Sequence, residues 1–178
     1  MIVEAGFEIA RELGLEKVSA RPVSERLGCS TQPVMYHFKT IEELRKAVYQ
    51  RADAYHTAEI TKTQGDHPML DIGLNYIRFA HREQQLFRLL FQSNGLTGKS
   101  LSELMDAEET VPLIMAVSQA AGIDAAQAKR VFRMLFLFVH GYASVLANNA
   151  LVYEESVIAA DLRRAFMGAV CMSKEETP

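Results

Sequence analysis

"LGCSTQPVMYHF", residues 27–38, decides how the rest of the chain is read. A glycine follows a leucine that belongs to a helical pattern, which is a stop signal. Ser30 can then cap a new helix, and Pro33 falls in its first turn, where a missing N–H costs little. That helix carries Val34 and Phe38 toward a scaffold and sets Tyr36 beside His37 near its end. Two helices joined by so tight a turn form a helix-turn-helix. The second, about two turns long, fits a groove about 12 Å wide, the width of the DNA major groove, while the first braces it.

Working outward, Ile2, Gly6, Phe7, Ile9, Ala10 and Leu13 share one helical face, and Gly14 ends that helix. Ser19 can cap a second helix carrying Val23 and Leu27. Thr40-Ile41-Glu42-Glu43 is a capping box that opens a long helix to about residue 62. Phe7, Val18, Val23, Leu27, Val34 and Phe38 form the expected small core.

"TQGDHP", residues 63–68, is the clearest break in the chain. The expected domains are a helix-turn-helix unit over 1–50, its fourth helix continuing to about 62, and a helical second domain over 63–178. In the latter, amphipathic spacing predicts helices near 68–83 and 84–92, then a linker "SNGLTGKS" at 93–100. A capping box at Ser100 and Glu103 opens a helix expected to run to about 121, ended by Gly122. Asp124, with Gln127 at N3, caps a helix to about Asn148. A last helix covers about 154–172, and "SKEETP" reads as a frayed tail. Strand alternation is nearly absent, so the fold class is all-α with about nine helices.

The 178 residues are 49% hydrophobic and 23% charged, an ordinary globular balance. Net charge is −3, so the whole chain does not announce a nucleic-acid partner. The stretch from Lys17 to Arg51 differs: seven basic residues face three acids, a modest footprint for phosphates or else a solvated mixed face. Cys29 and Cys171 lie far apart, with neither a disulfide framework nor metal-ligand spacing, which suits a reducing cytoplasm. No signal peptide is expected, because the first residues lack a basic stretch followed by an apolar one. Residues 131–152, "VFRMLFLFVHGYASVLANNALV", form the most apolar run. Arg133 and His140 interrupt it, so a buried helix rather than a membrane span is expected.

No Gly-rich phosphate loop, nucleophile elbow or paired acids occur, so no catalytic residue, and no enzyme, is expected. The five histidines show no H-x-x-x-H or Cys/His cluster, so no metal and no cofactor is expected either. Cys29 reads as a small packing residue in the turn. His140, in a strongly apolar helix, is either a satisfied core histidine or the polar anchor of a pocket.

The stretch from Leu13 to Val48, "LGLEKVSARPVSERLGCSTQPVMYHFKTIEELRKAV", resembles the DNA-binding domain of the tetracycline-repressor (TetR) family. The shared features are a Gly-Leu turn after helix one, a Ser or Thr starting helix two, an LG-x-S turn, a Tyr-x-Phe closing helix three and "EEL" in helix four. The likeness covers about residues 2–50. Beyond residue 65 it is architectural, with two long final helices and a His140-Gly141 step similar to that of some regulatory domains of the family.

The resemblance implies roles. Ser19 and Arg21 would touch phosphates, and Ser30, Thr31, Gln32 and Pro33 would stand at the end entering the groove. Gln32 would read adenine, with Thr31 or Pro33 against a thymine methyl. Tyr36 and His37 would bond phosphates, and Lys39 would add charge. Two departures weaken the expected affinity. Ile41 stands where the family usually has a phosphate-contacting lysine, so that contact is missing or taken over by Lys39, and the sequence begins "MIVEAG", so the contact of the family's polar or basic arm is lost or the arm lies outside this sequence.

In the second domain, Phe79, Phe87, Phe91, Met105, Met115, Phe136 and His140 are candidate pocket residues for a small apolar or amphipathic ligand. The helix 124–148 is apolar nearly all round, and a second copy of the chain can cover its outer face together with 154–172. A homodimer of this kind is the family's usual assembly. It would set two recognition helices about 34 Å apart, matching a palindromic operator in double-stranded DNA. The expected function is a DNA-binding, ligand-released repressor, with no membrane partner. Two other readings stay open: a helix-turn-helix protein without a small ligand, constitutive or under a protein partner, and an all-helical enzyme.

Overall fold

The computed structural model describes residues 1–62, 67–93, 100–149 and 151–175. Among them the chain is all-α, with ten helices and no strand. They are α1 (Ile2–Leu13), α2 (Ala20–Leu27), α3 (Gln32–His37), α4 (Ile41–Ile60), α5 (Pro68–Arg82), α6 (Gln84–Phe91), α7 (Leu101–Met105), α8 (Val111–Ala121), α9 (Ala125–Asn148) and α10 (Glu155–Glu175). Short 3-10 turns precede α2 and α8. The helices divide between two compact units.

The first unit gathers α1–α4 and α6. Phe7, Val18, Val23 and Val34 are buried, while Leu27 and Phe38 are half-buried at the rim. Leu44, Val48 and Ala52 of α4 complete this core, each large side chain contributing about 1.5–3 kcal/mol. Gly6 lets α1 and α4 approach: a Cβ there would stand 2.7 Å from Val48 Cγ2. Leu13 departs from the expected inner face and is exposed.

α6 joins this unit although it follows the expected boundary at residue 63. It packs on α1 and buries Leu86, Phe87, Leu89 and Leu90. Hydrophobic spacing marks such a helix as buried without naming its neighbour. Residues 63–66, which carry most of the break read from the sequence, and 94–99 of the second linker lie outside the described residues.

The second unit gathers α5 and α7–α10. α9 packs on both α8 and α10. Gly73 of α5 fits against them, since a Cβ would stand 2.8 Å from Leu162 Cδ2 and 3.5 Å from Val139 Cγ2. The capping box at Asp124 is complete, Gln127 N–H donating to Asp124 Oδ1 at 2.8 Å and Asp124 N–H to Gln127 Oε1 at 3.1 Å.

Two expectations need correction. The helix opened by Ser100 does not run to 121; its capping box is present, yet α7 stops at Met105. Pro112 sits in the first turn of α8; in a helix running on from Ser100 it could not donate to the previous turn, and its ring would clash with the carbonyl of residue 108. The chain therefore breaks, Thr110 Oγ1 donates back to Met105 O (3.0 Å) and Ala107 O (2.7 Å), and α8 starts afresh. Residues 173–175 are not frayed, for α10 continues to Glu175. Ser173 is buried, and its carbonyl accepts from Gln127 Nε2 at 3.1 Å. Residues 176–178 lie outside the described part.

Candidate functional site

The turn between α2 and α3 forms for a local reason. Gly28 takes the left-handed conformation at φ 66°, ψ 30°, which costs a glycine little. Gly28 N–H then bonds Glu25 O at 3.2 Å, and Cys29 N–H reaches Ser24 O at 3.0 Å, the six-to-one bond of a Schellman ending. α3 starts one residue later than expected, with Thr31 rather than Ser30 at the N-cap and no side-chain cap bond. Ser19 likewise gives no cap bond to α2, although it sits at the N-cap as expected. Thr40 does cap α4, Glu43 N–H donating to Thr40 Oγ1 at 3.1 Å. The Glu43 carboxylate accepts from Lys39 N–H at 2.9 Å, one residue before the position a capping box would give.

Val34 is the one buried side chain of α3. Gln32 and Tyr36, four residues apart, lie on the opposite face. Ser30, Thr31, Gln32, Pro33, His37 and Lys39 are all exposed, and Tyr36 is 83% exposed. The Tyr36 and His37 rings meet edge to face at 5.7 Å. Met35, which the sequence reading passed over, is also exposed, an apolar side chain beside Gln32 and Thr31. The six-residue helix therefore turns almost everything outward except its anchor. Ser19 is half-buried at the start of α2, and Ile41 half-buried at the start of α4.

The structure redistributes the local positive charge. Arg21 is bonded to Glu25 at 2.8 Å on an exposed face. Arg26 pairs with Glu12, and Arg51 pairs with Glu4 at 2.9 Å while lying over the Phe7 ring at 4.4 Å. Arg45 spends its guanidinium on the carbonyls of Val18 (3.2 Å) and Glu16 (3.0 Å), locking α4 to the turn before α2. Glu4 and Glu12 stand outside the basic stretch, so its sequence charge overstates the cationic surface. Lys17, Lys39 and Lys46 form no ion pair among the described residues.

In the second unit a polar pair sits beside the Phe136 ring. Tyr76 Oη of α5 and His140 Nδ1 of α9 share a hydrogen bond of 2.9 Å. Phe136 stacks on His140 at 5.7 Å. Burial pushes the Tyr76 phenol up and the His140 imidazole down, so both stay neutral near pH 7. Phe79 and Met105 of this unit are buried, and Met115 is exposed. Phe87 and Phe91 fall in the other unit on α6, where their rings pack at 5.2 Å and Phe91 meets His56 of α4 at 5.0 Å. Tyr76 is the partner that sequence reasoning left in the core, since no local spacing links residues 64 apart. Among the described residues no three His, Cys, Asp or Glu side chains group to hold a metal ion.

α9 is, by length and composition, apolar enough to cross a membrane. In the unit, however, it buries Val131, Leu135, Val139, Ala143 and Leu146 against its neighbours. Its opposite face carries Met134, Leu137 and Val145, each 43–50% exposed. α10 likewise exposes Val157, Met167 and Met172. Gly141 and Gly168 lie in these helices with nothing within 4 Å of where a Cβ would stand. Helix-interior glycine is unfavourable by about 0.5–1 kcal/mol relative to alanine, and among the described residues no packing within 4 Å offsets that at either position.

The helices and their turn define an all-α protein that joins a helix-turn-helix to a second helical unit. A family model described as "Tetracyclin repressor-like, C-terminal domain" matches residues 69–170, more than half of the chain. The chain belongs to the tetracycline repressor-like family, a family of regulators. A comparison with curated proteins returns no match.

Proposed function

We propose that the chain is a sequence-specific DNA-binding transcriptional regulator, a homodimeric repressor released by a small apolar or amphipathic ligand. The observation that carries the reading is α3: one buried anchor, Val34, behind an outward surface of Thr31, Gln32, Pro33 and Tyr36. Gln32 offers the amide that pairs with adenine, and Thr31, Pro33 or Met35 offers apolar contact to a thymine methyl. Ser30, Tyr36, His37 and Lys39, with Ser19 and Arg21 at the start of α2, take the phosphates. Arg21 must leave Glu25 to do so, and Ile41 supplies no charge, so few phosphates are neutralised.

The dimer forms through the exposed apolar stripes of α9 and α10, which a second copy covers as a four-helix bundle. Gly141 and Gly168 leave room for its helices to approach. The two α3 helices then read a palindromic operator. The ligand binds in the second unit with the Tyr76–His140 pair as its polar anchor, and Phe79, Met105 and Phe136 supply the apolar surface. Its binding favours a conformation whose half-site spacing mismatches the operator, and operator in turn weakens ligand binding by the same factor.

Fluorescence anisotropy of a labelled random-sequence duplex tests the DNA surface. The reading expects binding that weakens between about 50 and 200 mM salt, with a shallow slope set by the few phosphates neutralised, and that is lost in a Tyr36→Ala, Lys39→Ala double variant. Absence of binding at low salt, or an unaffected variant, contradicts it.

A further inference from the structure

Glu83 stands at the corner where α5 hands the chain over to α6. It occupies the N-cap of α6 yet makes no cap bond to its own helix. Instead its carboxylate spans to two other helices of the first unit. Arg11 of α1 donates Nε–H to Glu83 Oε2 at 2.7 Å and Nη2–H to Oε1 at 2.5 Å, a two-pronged pair. Tyr55 of α4 donates its hydroxyl to the same Oε1 at 3.3 Å, and the Arg11 guanidinium lies 5.5 Å from the Tyr55 ring centroid. The Glu83 side chain is 12% exposed and that of Arg11 37%, so the pair is part-buried on its carboxylate side and screened less than a fully exposed one.

Each helix it holds leads to α3. α1 packs on α2, α2 packs on α3, and three residues separate the end of α3 from the start of α4. One carboxylate thus ties together the two helices that bear the recognition helix, at the point where the chain returns from the second unit. We propose that Glu83 is a positioning residue for the recognition helix: through Arg11 and Tyr55 it fixes α1 and α4 on α6, and so fixes how α3 meets base edges. This rests on the DNA-binding reading above. Phosphate contacts are long-range and tolerant of displacement, whereas base contacts need hydrogen-bond geometry. Loosening the clamp should therefore reduce discrimination rather than binding in general.

The test compares two labelled duplexes, one enriched by the wild-type protein from a random pool and one scrambled. Glu83→Gln is expected to weaken the enriched duplex about tenfold while the scrambled duplex stays within about twofold. Tyr55→Phe should show a smaller effect of the same kind, and the exchanged pair Arg11→Glu with Glu83→Arg should recover the discrimination lost in Glu83→Gln. Equal loss on both duplexes, the mark of a merely structural role, overturns the proposal, as does no loss. Hydrogen exchange separates a failure of the clamp from a failure of the DNA reading. In Glu83→Gln the amides of α1 and α4 should exchange faster and those of α8 should not; unchanged α1 and α4 overturn the clamp even if no sequence is ever enriched.

Discussion

Tyr76 Oη and His140 Nδ1 stand 2.9 Å apart, joining α5 to α9 inside the second unit. Tyr76 is buried and His140 half-buried, and a buried polar group that loses its partner costs more than the bond contributes. Tyr76→Phe should lower the unfolding free energy by about 1–3 kcal/mol, read from urea denaturation. Replacing both partners, as Tyr76→Phe with His140→Leu, should cost less than the sum of the two single changes. Strict additivity would show that the pair is not coupled.

Gly6 and Val48 make a close approach of α1 and α4, a Cβ on Gly6 falling 2.7 Å from Val48 Cγ2. Gly6→Ala should therefore destabilise by about 1–3 kcal/mol, against the usual gain from replacing a helical glycine. Val48→Ala in the same chain should recover part of that loss. A stabilised Gly6→Ala variant would mean that α1 and α4 separate more readily than this packing allows.

His56 predicts an acid-sensitive first unit. Burial brings its pKa down from 6.5 to about 4. The unfolded chain binds a proton near 6.5 that the folded chain refuses until about 4. Stability is therefore complete above pH 6.5 and declines as pH falls through that window, by up to about 3 kcal/mol. His56→Leu should flatten the midpoint-against-pH curve between those values. An unchanged slope would assign the acid sensitivity to other groups.

Leu137 and Met167 are 50% and 63% exposed in the single chain. Leu137→Glu and Met167→Glu would change a monomer's stability by no more than about 0.5 kcal/mol. In a dimer packed through these stripes, each buries an unpaired charge and should shift sedimentation from dimer to monomer at micromolar concentration. Unaltered dimers, or a wild-type chain that sediments as a monomer, would remove this interface from the account.

Local chemistry was legible in the sequence and long-range pairing was not. Asp124 and Gln127 announce α9 because both halves of the capping box lie within one turn. Gly28 announces the turn because only local backbone geometry is involved. The length of the helix opened by Ser100 was misread, since its capping box speaks for the start and Pro112, twelve residues on, decides the end. The basic stretch was legible as composition. Its neutralisation by Glu4 and Glu12 depends on α1 lying beside α2 and α4. Phe87 and Phe91 read as pocket candidates because amphipathic spacing says that a face is buried but not against which helix. Arg11 and Glu83, 72 residues apart, carry no signal that a single sequence displays.

Selection of bound duplexes from a random DNA pool tests the central claim most directly. The account predicts a palindromic consensus whose half-sites are about one helical turn apart or a multiple of it. It also predicts that Gln32→Ala loses about 1–3 kcal/mol, concentrated at one base position of each half-site. Binding that depends on salt but enriches no sequence would contradict it.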